Sequence, residues 1–219
     1  MDQIKFCDLL GIKSKSKRAT PFKLPGDDGR IFSNYFTYVI VENEGHQRLL
    51  KPMRYRVRPH GSKEEIPARY NVFNARIDAL ETRQTWGPLF MKNHGLVPFT
   101  GFYEWVPDPD PDPERKGKSK LISFYPSSEK DGAGGDEIMW APCLWDEWSS
   151  IDGSIQFKSF AIITDDPPAE IKRMGHDRCP IFLRKELISS WLNPQKLKKN
   201  EVYEVLRGKE EKIFLHKWA

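Results

Sequence analysis

Hydrophobic and polar residues follow two periodicities along this chain, and together they predict a mixture of strands and helices. Stretches rich in β-branched and aromatic side chains predict strands at residues 31–41, 49–58, 70–73, 96–99, 121–125, 139–145, 157–164, 179–183 and 212–216. Capping residues and helix-ending glycines predict helices near residue 78, at 86–92, between 165 and 175, at 185–192 and at 194–206. No stretch repeats and no second hydrophobic unit follows, so the pattern predicts one domain.

Three stretches interrupt this pattern. Residues 1–34 contain the basic, serine-spaced run Ile12–Arg18 and then several prolines and glycines, which predicts a partly irregular N-terminal basic arm. Such an arm either contacts phosphate groups or remains a solvated terminus. Residues 107–120 and 127–136 are rich in proline, aspartate or glycine and predict surface loops. The folded domain is therefore expected at residues 35–219.

The composition fits a soluble protein with a substantial core. Aromatic residues make up 12% of the 219 residues, whereas 30% are charged and the mean hydropathy is −0.64. No apolar run approaches the roughly 18 residues that a membrane span requires, and the first residues lack the apolar segment of a signal peptide. We therefore expect a cytoplasmic protein. The net charge of +4 permits nucleic-acid binding without requiring it.

The chain lacks the sequence motifs of metal and nucleotide sites. Its cysteines, Cys7, Cys143 and Cys179, form neither a disulfide framework nor a Cys-x-x-Cys pair. His176 and Cys179 have a spacing suited to zinc, but no second pair of ligands accompanies them. Neither a Gly-x-Gly-x-x-Gly motif nor a phosphate-binding Gly-Lys-Ser/Thr loop occurs. We expect neither a metal nor a cofactor.

The first candidate for chemistry is Glu104, in the segment Gly101–Trp105 that follows the predicted buried strand 96–99. The flanking aromatic residues Tyr103 and Trp105 limit its solvation, and burial raises the pKa of a carboxyl group. A general acid that works near neutral pH needs such an environment. The alternative is a glutamate on the solvent face of an aromatic strand.

The predicted strand 49–58 places three arginines on one face, because side chains alternate across a strand. These arginines are Arg54, Arg56 and Arg58, and the residues predicted to face the core are Met53, Tyr55 and Val57. Guanidinium groups in a row suit a phosphodiester backbone, and Arg69 and Arg76 follow closely. The alternative is a solvated face.

Asn74 and His176 are each predicted at the end of a strand or in the loop beside one. Asn74 offers both a donor and an acceptor, although it also suits the cap of the helix predicted near residue 78. His176 follows a predicted helix and precedes a predicted strand. Loops at such junctions often carry catalytic side chains, and the neighbouring Asp177 and Arg178 would tune the pKa of the imidazole.

Five motifs that contain or flank these residues occur in a fixed order between Tyr55 and Trp191. They are Asn-Ala-Arg at 74–76, Gly-Phe-Tyr-Glu-Trp at 101–105, Leu-Trp-x-x-Trp at 144–148, Ile-Ile-Thr-Asp-Asp-Pro-Pro at 162–168 and His-Asp-Arg-x-Pro at 176–180. In this order they closely resemble the SRAP family, the SOS-response-associated peptidase-like proteins that process abasic sites. The Asp-Asp-Pro-Pro and Gly-His-Asp-Arg-Cys variants resemble the phage-related branch of that family.

The resemblance implies an α+β fold, a compact single domain with a mostly antiparallel, barrel-like β core and peripheral helices. It implies a monomeric, bacterial protein that binds single-stranded DNA at abasic sites and is nucleoid-associated when bound. By resemblance, Asn74 would position an N-terminal amine, and Glu104 would move protons during opening and closure of the sugar ring. His176 would assist Schiff-base formation and crosslink reversal. The residues expected to contact DNA are Arg54, Arg56, Arg58, Arg76, Tyr103 and Arg178.

One position departs from the family pattern. Family members carry cysteine at position 2, exposed by removal of Met1, and its amine and thiol close on the sugar aldehyde as a thiazolidine crosslink. Asp2 stands there in this chain. Either an upstream segment is missing from the chain, or this member has lost the nucleophile.

Two functions therefore remain open at this point. The first is an abasic-site crosslinking protein or lyase with possible autoproteolytic processing of its N-terminus, and the second is a non-covalent single-stranded-DNA binder. A peptidase acting on other proteins is a third possibility, although the resemblance implies that the peptidase activity removes the protein's own Met1. For the chain as given, we expect at most a reversible Schiff base with the sugar aldehyde.

Overall fold

The computed structural model describes residues 25, 29–67, 69–108, 119–127 and 137–219. Its strands, in chain order, are β1 (Phe36–Glu42), β2 (Arg48–Tyr55), β3 (Asn74–Arg76), β4 (His94–Phe99), β5 (Phe102–Pro107), β6 (Ser119–Pro126), β7 (Met139–Ser149), β8 (Gln156–Asp165), β9 (Cys179–Pro180) and β10 (Phe214–Trp218). Its α-helices are α1 (Ala169–Arg173), α2 (Ile188–Leu192) and α3 (Lys199–Arg207). Short 3₁₀ helices lie at Ile77–Ala79, Lys185–Leu187 and Pro194–Lys196.

Five of these strands close into a ring, in the order β2-β1-β4-β7-β8 and back to β2. Neighbouring strands are antiparallel, except that β2 runs parallel to β8. β3 also pairs with β8 in parallel, and β9 pairs with the end of β8. A second, antiparallel sheet contains β5, β6 and β10. Closure of the ring removes the open edges that a flat sheet would expose.

Three hydrophobic clusters hold these layers together. The first contains apolar residues contributed by all five ring strands, so it fills the ring: Val39, Val41, Met53, Val97, Ala141, Cys143 and Phe160. The second packs α2 and α3 against the ring around Trp191, which is fully buried. The third lies against the three-stranded sheet, where Phe102 stacks on Phe124 and contacts Phe182. Each fully buried side chain of this size contributes about 1.5–3 kcal/mol to folding.

This mixed architecture, with its nearly closed and mainly antiparallel sheet, confirms the fold class that the sequence implied. Local predictions differ in several places. No strand forms at residues 70–73, because the short strand in this segment is β3, Asn74–Arg76. Residues 86–92 form turns rather than a helix, and the helix near residue 78 is a single 3₁₀ turn. The strand predicted at 49–58 ends at Tyr55, because the next residue, Arg56, has a φ of 142°.

Residues 1–24 and 26–28 lie outside the described residues, so the N-terminal basic arm and the boundary at residue 34 remain predictions. Within the described ranges, no helix is long and apolar enough to cross a membrane.

Candidate functional site

A cleft of about 1280 Å³ is lined by residues from both sheets and by the segment that precedes β1. Asn74 on β3, Glu104 on β5 and His176 in the loop before β9 all line this cleft. The fold therefore brings together three residues that are up to 102 positions apart in the sequence, from 74 to 176.

Glu104 lies in the middle of β5, where it pairs with Ile122 of β6. Its neighbours two positions away, Phe102 and Val106, are buried in the core, so alternation along the strand turns Glu104 away from bulk solvent. The carboxylate side chain is 19% exposed. The sequence suggested that Glu104 ends the strand at 96–99. The chain instead leaves the ring after Phe99 and starts a new strand in the second sheet.

His176 forms hydrogen bonds to oxygen acceptors with both ring nitrogens. Its Nε2 lies 2.9 Å from Oε2 of Glu104, and its Nδ1 lies 2.8 Å from the backbone oxygen of Arg178. The backbone nitrogen of Arg178 also lies 3.3 Å from Nδ1, so Nδ1 donates to the Arg178 oxygen when it carries a proton and accepts from the Arg178 nitrogen when it does not. The hydrogen bond to Glu104 is the largest cause of a raised pKa of His176. Partial burial lowers this pKa, and the Arg178 carbonyl and the charges of Glu104 and Asp177 raise it further.

The loop that carries His176 turns tightly at Gly175, which follows α1. Gly175 has a φ of +88°, a left-handed conformation that glycine adopts without strain. A Cβ atom at this position would lie 3.0 Å from Cδ of Pro107, at the end of β5. The glycine therefore lets the loop approach the strand that carries Glu104.

Hydrogen bonds fix both the backbone and the side chain of Asn74. Its backbone nitrogen donates to Oδ1 of Asn71 at 3.0 Å, and its own Oδ1 accepts a hydrogen bond from the Tyr55 hydroxyl at 2.9 Å. Tyr55 stacks on Phe160 with ring centroids 5.1 Å apart. Burial and the nearby charge of Glu104 raise the pKa of Tyr55, so the phenol keeps its proton and remains a donor. The sequence predicted Tyr55 only as a core residue, because nothing in its local pattern reveals the partner 19 positions away.

Five arginines of the described chain line the cleft, and four of them, leaving aside Arg30, fall into two groups. Arg76 is paired with Asp78 at 2.5 Å, and Arg178 is paired with Asp166 at 2.6 Å. Arg69 and Arg83 also line the cleft, and the structure shows no ion pair for either of them among the described residues. The sequence drew attention to Arg69 only as a cation that follows the predicted arginine row, and neither Arg69 nor Arg83 was among the predicted DNA contacts, because neither lies in a motif.

Exposed aromatic side chains accompany the arginines in the cleft. Tyr70 is 50% exposed and Trp105 is 61% exposed. Tyr103 lies under the guanidinium group of Arg30, whose Cζ is 4.9 Å from the ring centroid. The predicted contact residue Tyr103 therefore does line the cleft, together with two aromatic neighbours.

Arg54, Arg56 and Arg58 are not among the described residues that line the cleft. Arg54 is 7% exposed and forms two hydrogen bonds to Glu65, and Arg58 pairs with the same carboxylate at 3.3 Å. Arg56 donates to the backbone oxygen of Ile66. These guanidinium groups hold the loop after β2 against the sheet, so we leave all three out of the proposed DNA-binding residues.

The two cysteines in the described residues are inert. Cys143 and Cys179 are buried, and burial raises the pKa of both thiols. Among the residues that the structure describes, no group of three or more histidine, cysteine or carboxylate side chains is arranged to hold a metal ion.

Comparison with known proteins adds sequence relatives to this geometry. The chain is 26% identical over 158 residues to the abasic site processing protein YobE of Bacillus subtilis, covering 71% of this chain and 64% of YobE. It is also 26% identical over 158 residues to YoqW of Bacillus phage SPbeta, covering 62% of that protein. HMCES of Pongo abelii is 25% identical over 197 residues, with 81% of this chain and 54% of HMCES covered. The chain thus spans less than two thirds of the length of these curated relatives.

Solved structures share the fold. A protein from Bordetella bronchiseptica aligns with a TM-score of 0.62 at 16% identity, covering 100% of this chain and 95% of that one. A phage-related protein from the same species aligns with a TM-score of 0.59 at 20% identity, covering 84% and 78%. A protein from Bacteroides thetaiotaomicron aligns with a TM-score of 0.60 at 21% identity, covering 78% and 68%.

A family model described as SOS response associated peptidase (SRAP) matches residues 28–217, which include both sheets and the whole cleft. The chain therefore belongs to the SRAP family.

Proposed function

We propose that this protein binds abasic sites in single-stranded DNA and reacts with the exposed sugar aldehyde through an amine. The observation that carries the proposal is the Glu104–His176 hydrogen bond at 2.9 Å, in the same cleft as Asn74. Membership of the SRAP family and the names of relatives, which are called abasic site processing proteins, support the choice of substrate.

The cleft has the composition of a single-strand binding groove. Arg69 and Arg83, without ion-pair partners in the described chain, together with Arg76 and Arg178, would neutralise phosphates. Half-buried Tyr103 and exposed Trp105 would stack on bases, which a single strand exposes and a duplex keeps stacked on one another. We expect binding to weaken with salt, because each phosphate contact releases counterions.

Proton transfers in this proposal belong to Glu104 and His176. The amine attacks C1′ of the ring-opened sugar, and a new C–N bond forms while the carbonyl electrons move to oxygen. Glu104 accepts the proton that the attacking nitrogen loses and delivers it to that oxygen, which gives the carbinolamine. The nitrogen lone pair then forms the C=N bond as the C–O bond breaks, and the His176 imidazolium protonates the hydroxyl, which departs as water. The product is a Schiff base, and addition of water reverses the same steps. Asn74 holds the attacking amine.

The proposed amine is the α-amine, which ordinarily titrates near pH 7.7–8.0 and is partly free at neutral pH. Gly29–Ser33 line the cleft, so the N-terminal segment joins the described structure there. Cys143 and Cys179 are buried and their nitrogens are peptide amides, so neither supplies the free amine and thiol of one residue that a thiazolidine requires, and a reversible Schiff base is favoured. The same observation favours a second candidate function, non-covalent binding of single-stranded DNA.

Borohydride trapping tests the covalent step. The protein is incubated with single-stranded DNA carrying an abasic site, with and without borohydride, and is examined on denaturing gels and by intact mass. We expect an adduct only with reductant, and slow strand cleavage without it. An Asp2→Cys variant, which restores the amine–thiol pair of the family once Met1 is removed, is expected to give a heat-stable adduct without reductant.

The other outcomes separate the alternatives. Binding without any trapped adduct would support the non-covalent function. A heat-stable adduct of the unmodified chain without reductant would contradict the Schiff-base proposal and direct attention to Cys7, which lies outside the described residues.

A further inference from the structure

Arg69 and Tyr70 form an exposed cation–aromatic pair in the cleft. The guanidinium carbon of Arg69 lies 4.9 Å from the centroid of the Tyr70 ring, and both residues line the cleft. The Tyr70 side chain is 50% exposed, so Arg69 leaves much of the ring open to solvent. A large aromatic surface left open inside a binding cleft is suited to a stacking partner.

The pair is tied closely to Asn74. The Tyr70 nitrogen donates to the Pro67 oxygen at 3.0 Å, and the Asn71 side chain accepts hydrogen bonds from the backbone of Phe73 and Asn74. Four residues of extended chain span at most about 14 Å. Tyr70 is therefore within reach of a nucleotide adjacent to one that is held at Asn74.

The charge of Arg69 is available to a ligand. Arg76 and Arg178 are each paired with an aspartate, whereas Arg69 makes no ion pair within the part of the chain that the structure describes. Proteins that bind single strands combine such a cation for the phosphate with an aromatic face for the base.

We infer that Arg69 and Tyr70 form a nucleotide subsite beside the reaction centre. Tyr70 stacks on the base next to the abasic sugar, and Arg69 contacts the phosphate of that nucleotide. The subsite rests on the proposed function, and it assigns the recognition of a flanking base to the segment that precedes Asn74. The nucleotide next to the abasic sugar, which still carries its base, thus contributes to binding of the abasic site, which has no base to stack.

The chain offers a matched control pair outside the cleft. On α3, the Arg207 guanidinium carbon lies 5.8 Å from the centroid of the Tyr203 ring, and neither residue lines the cleft. Arg69→Gln and Arg207→Gln change the net charge equally. Fluorescence polarisation with a labelled oligonucleotide that carries a tetrahydrofuran abasic analogue measures binding without chemistry.

In this assay we expect Arg69→Gln to weaken binding. We also expect the slope of the logarithm of the binding constant against the logarithm of the salt concentration to become shallower by about 0.7, the value for one phosphate of a single strand. Arg207→Gln should leave both quantities unchanged. Tyr70→Leu should weaken binding about 5- to 30-fold, within the range for loss of one stacked base. Equal effects of Arg69→Gln and Arg207→Gln would overturn the phosphate contact.

Two further oligonucleotides test stacking directly, each lacking the base on one side of the abasic analogue. If Tyr70 stacks on that base, the wild type and Tyr70→Leu should bind one of these two oligonucleotides equally well. The inference would be overturned if Tyr70→Leu lowered the affinity equally for all three oligonucleotides, or for none of them. Either result would leave the proposed function intact. Failure of the wild type to bind any of them would overturn both.

Discussion

His94 and His176 lie in two differently built regions, the core beside Trp191 and the cleft beside Glu104. His94 is 3% exposed and stacks on Trp191 with ring centroids 3.7 Å apart. Its Nδ1 donates to the Trp191 oxygen at 2.7 Å, whereas its buried Nε2 has no hydrogen-bond partner in the described structure. Burial lowers the pKa of His94 to about 3, so the ring is neutral at physiological pH.

His176 is only partly buried, and each of its ring nitrogens faces an oxygen. Its pKa is raised, chiefly by the hydrogen bond to Glu104. The difference teaches that available acceptors decide the charge of a desolvated histidine. A histidine with one acceptor in an apolar core is neutral and serves packing, whereas acceptors beside both nitrogens in a cleft favour the protonated ring, which can then donate a proton.

The largest expected effect is on chemistry in the cleft. Glu104→Gln or His176→Gln should lower the rate of borohydride-trapped Schiff-base formation about 10²- to 10⁴-fold, the usual contribution of a positioned acid or base. The melting temperature should change little, because each substitution keeps the size of the side chain or nearly so. Retained activity with a large thermal shift would show instead that the pair is structural.

The next effect is on the core. His94→Ala should reduce the free energy of unfolding by about 2–4 kcal/mol, because it leaves a cavity against Trp191 and an unpaired carbonyl. The activity of the folded fraction should remain. His46→Ala is the control, since His46 is exposed and should change stability by less than about 0.5 kcal/mol. A denaturant titration that gives equal losses for both variants would contradict this account.

The two histidines should also act in separate pH windows. The unfolded chain binds a proton at His94 below pH 6.5 and the folded chain does not, so stability should fall as pH falls through that value. Between pH 7 and pH 5 the loss should be about 2 kcal/mol. His176 has a raised folded pKa, so its contribution is fully present below pH 6.5 and is lost as pH rises through that higher value.

Unfolding measurements across this pH range test the assignment. His94→Ala should flatten the acid side of the profile, and His176→Gln should alter the side above pH 6.5. An acid profile that is unchanged in His94→Ala would show that other groups cause the acid sensitivity.

The smallest expected effect concerns the positioning of Asn74. Tyr55→Phe removes the hydroxyl that donates to Asn74 and should slow Schiff-base formation about 2- to 10-fold, the scale of one neutral hydrogen bond. We expect kcat to fall more than DNA affinity, because the hydroxyl orients a reacting group and does not itself bind DNA. Tyr203→Phe, which removes a phenol that interacts with Glu81 away from the cleft, should leave the rate unchanged. A loss confined to affinity would count against a positioning role.

Sequence patterns predicted the ring well where burial alone decides the structure. Hydrophobic runs at residues 139–145 and 157–164 lie within β7 and β8, because their apolar side chains suit only a buried sheet. Alternation failed after Tyr55, since the positive φ of Arg56 ends the strand. The arginine row therefore never forms, and Glu65 from a later loop pairs with Arg54 and Arg58.

By itself, the sequence determined the residue types of the cleft and the order in which they occur. Asn74, Glu104 and His176 lie in short motifs whose neighbours constrain the backbone, such as Gly175 beside His176. Only the tertiary structure decided which charges are available to a ligand. Ion pairs and hydrogen bonds between distant segments neutralise Arg54 and orient Asn74, and they leave Arg69 without an ion pair in the described chain, because a charge is satisfied by whatever lies near it in space.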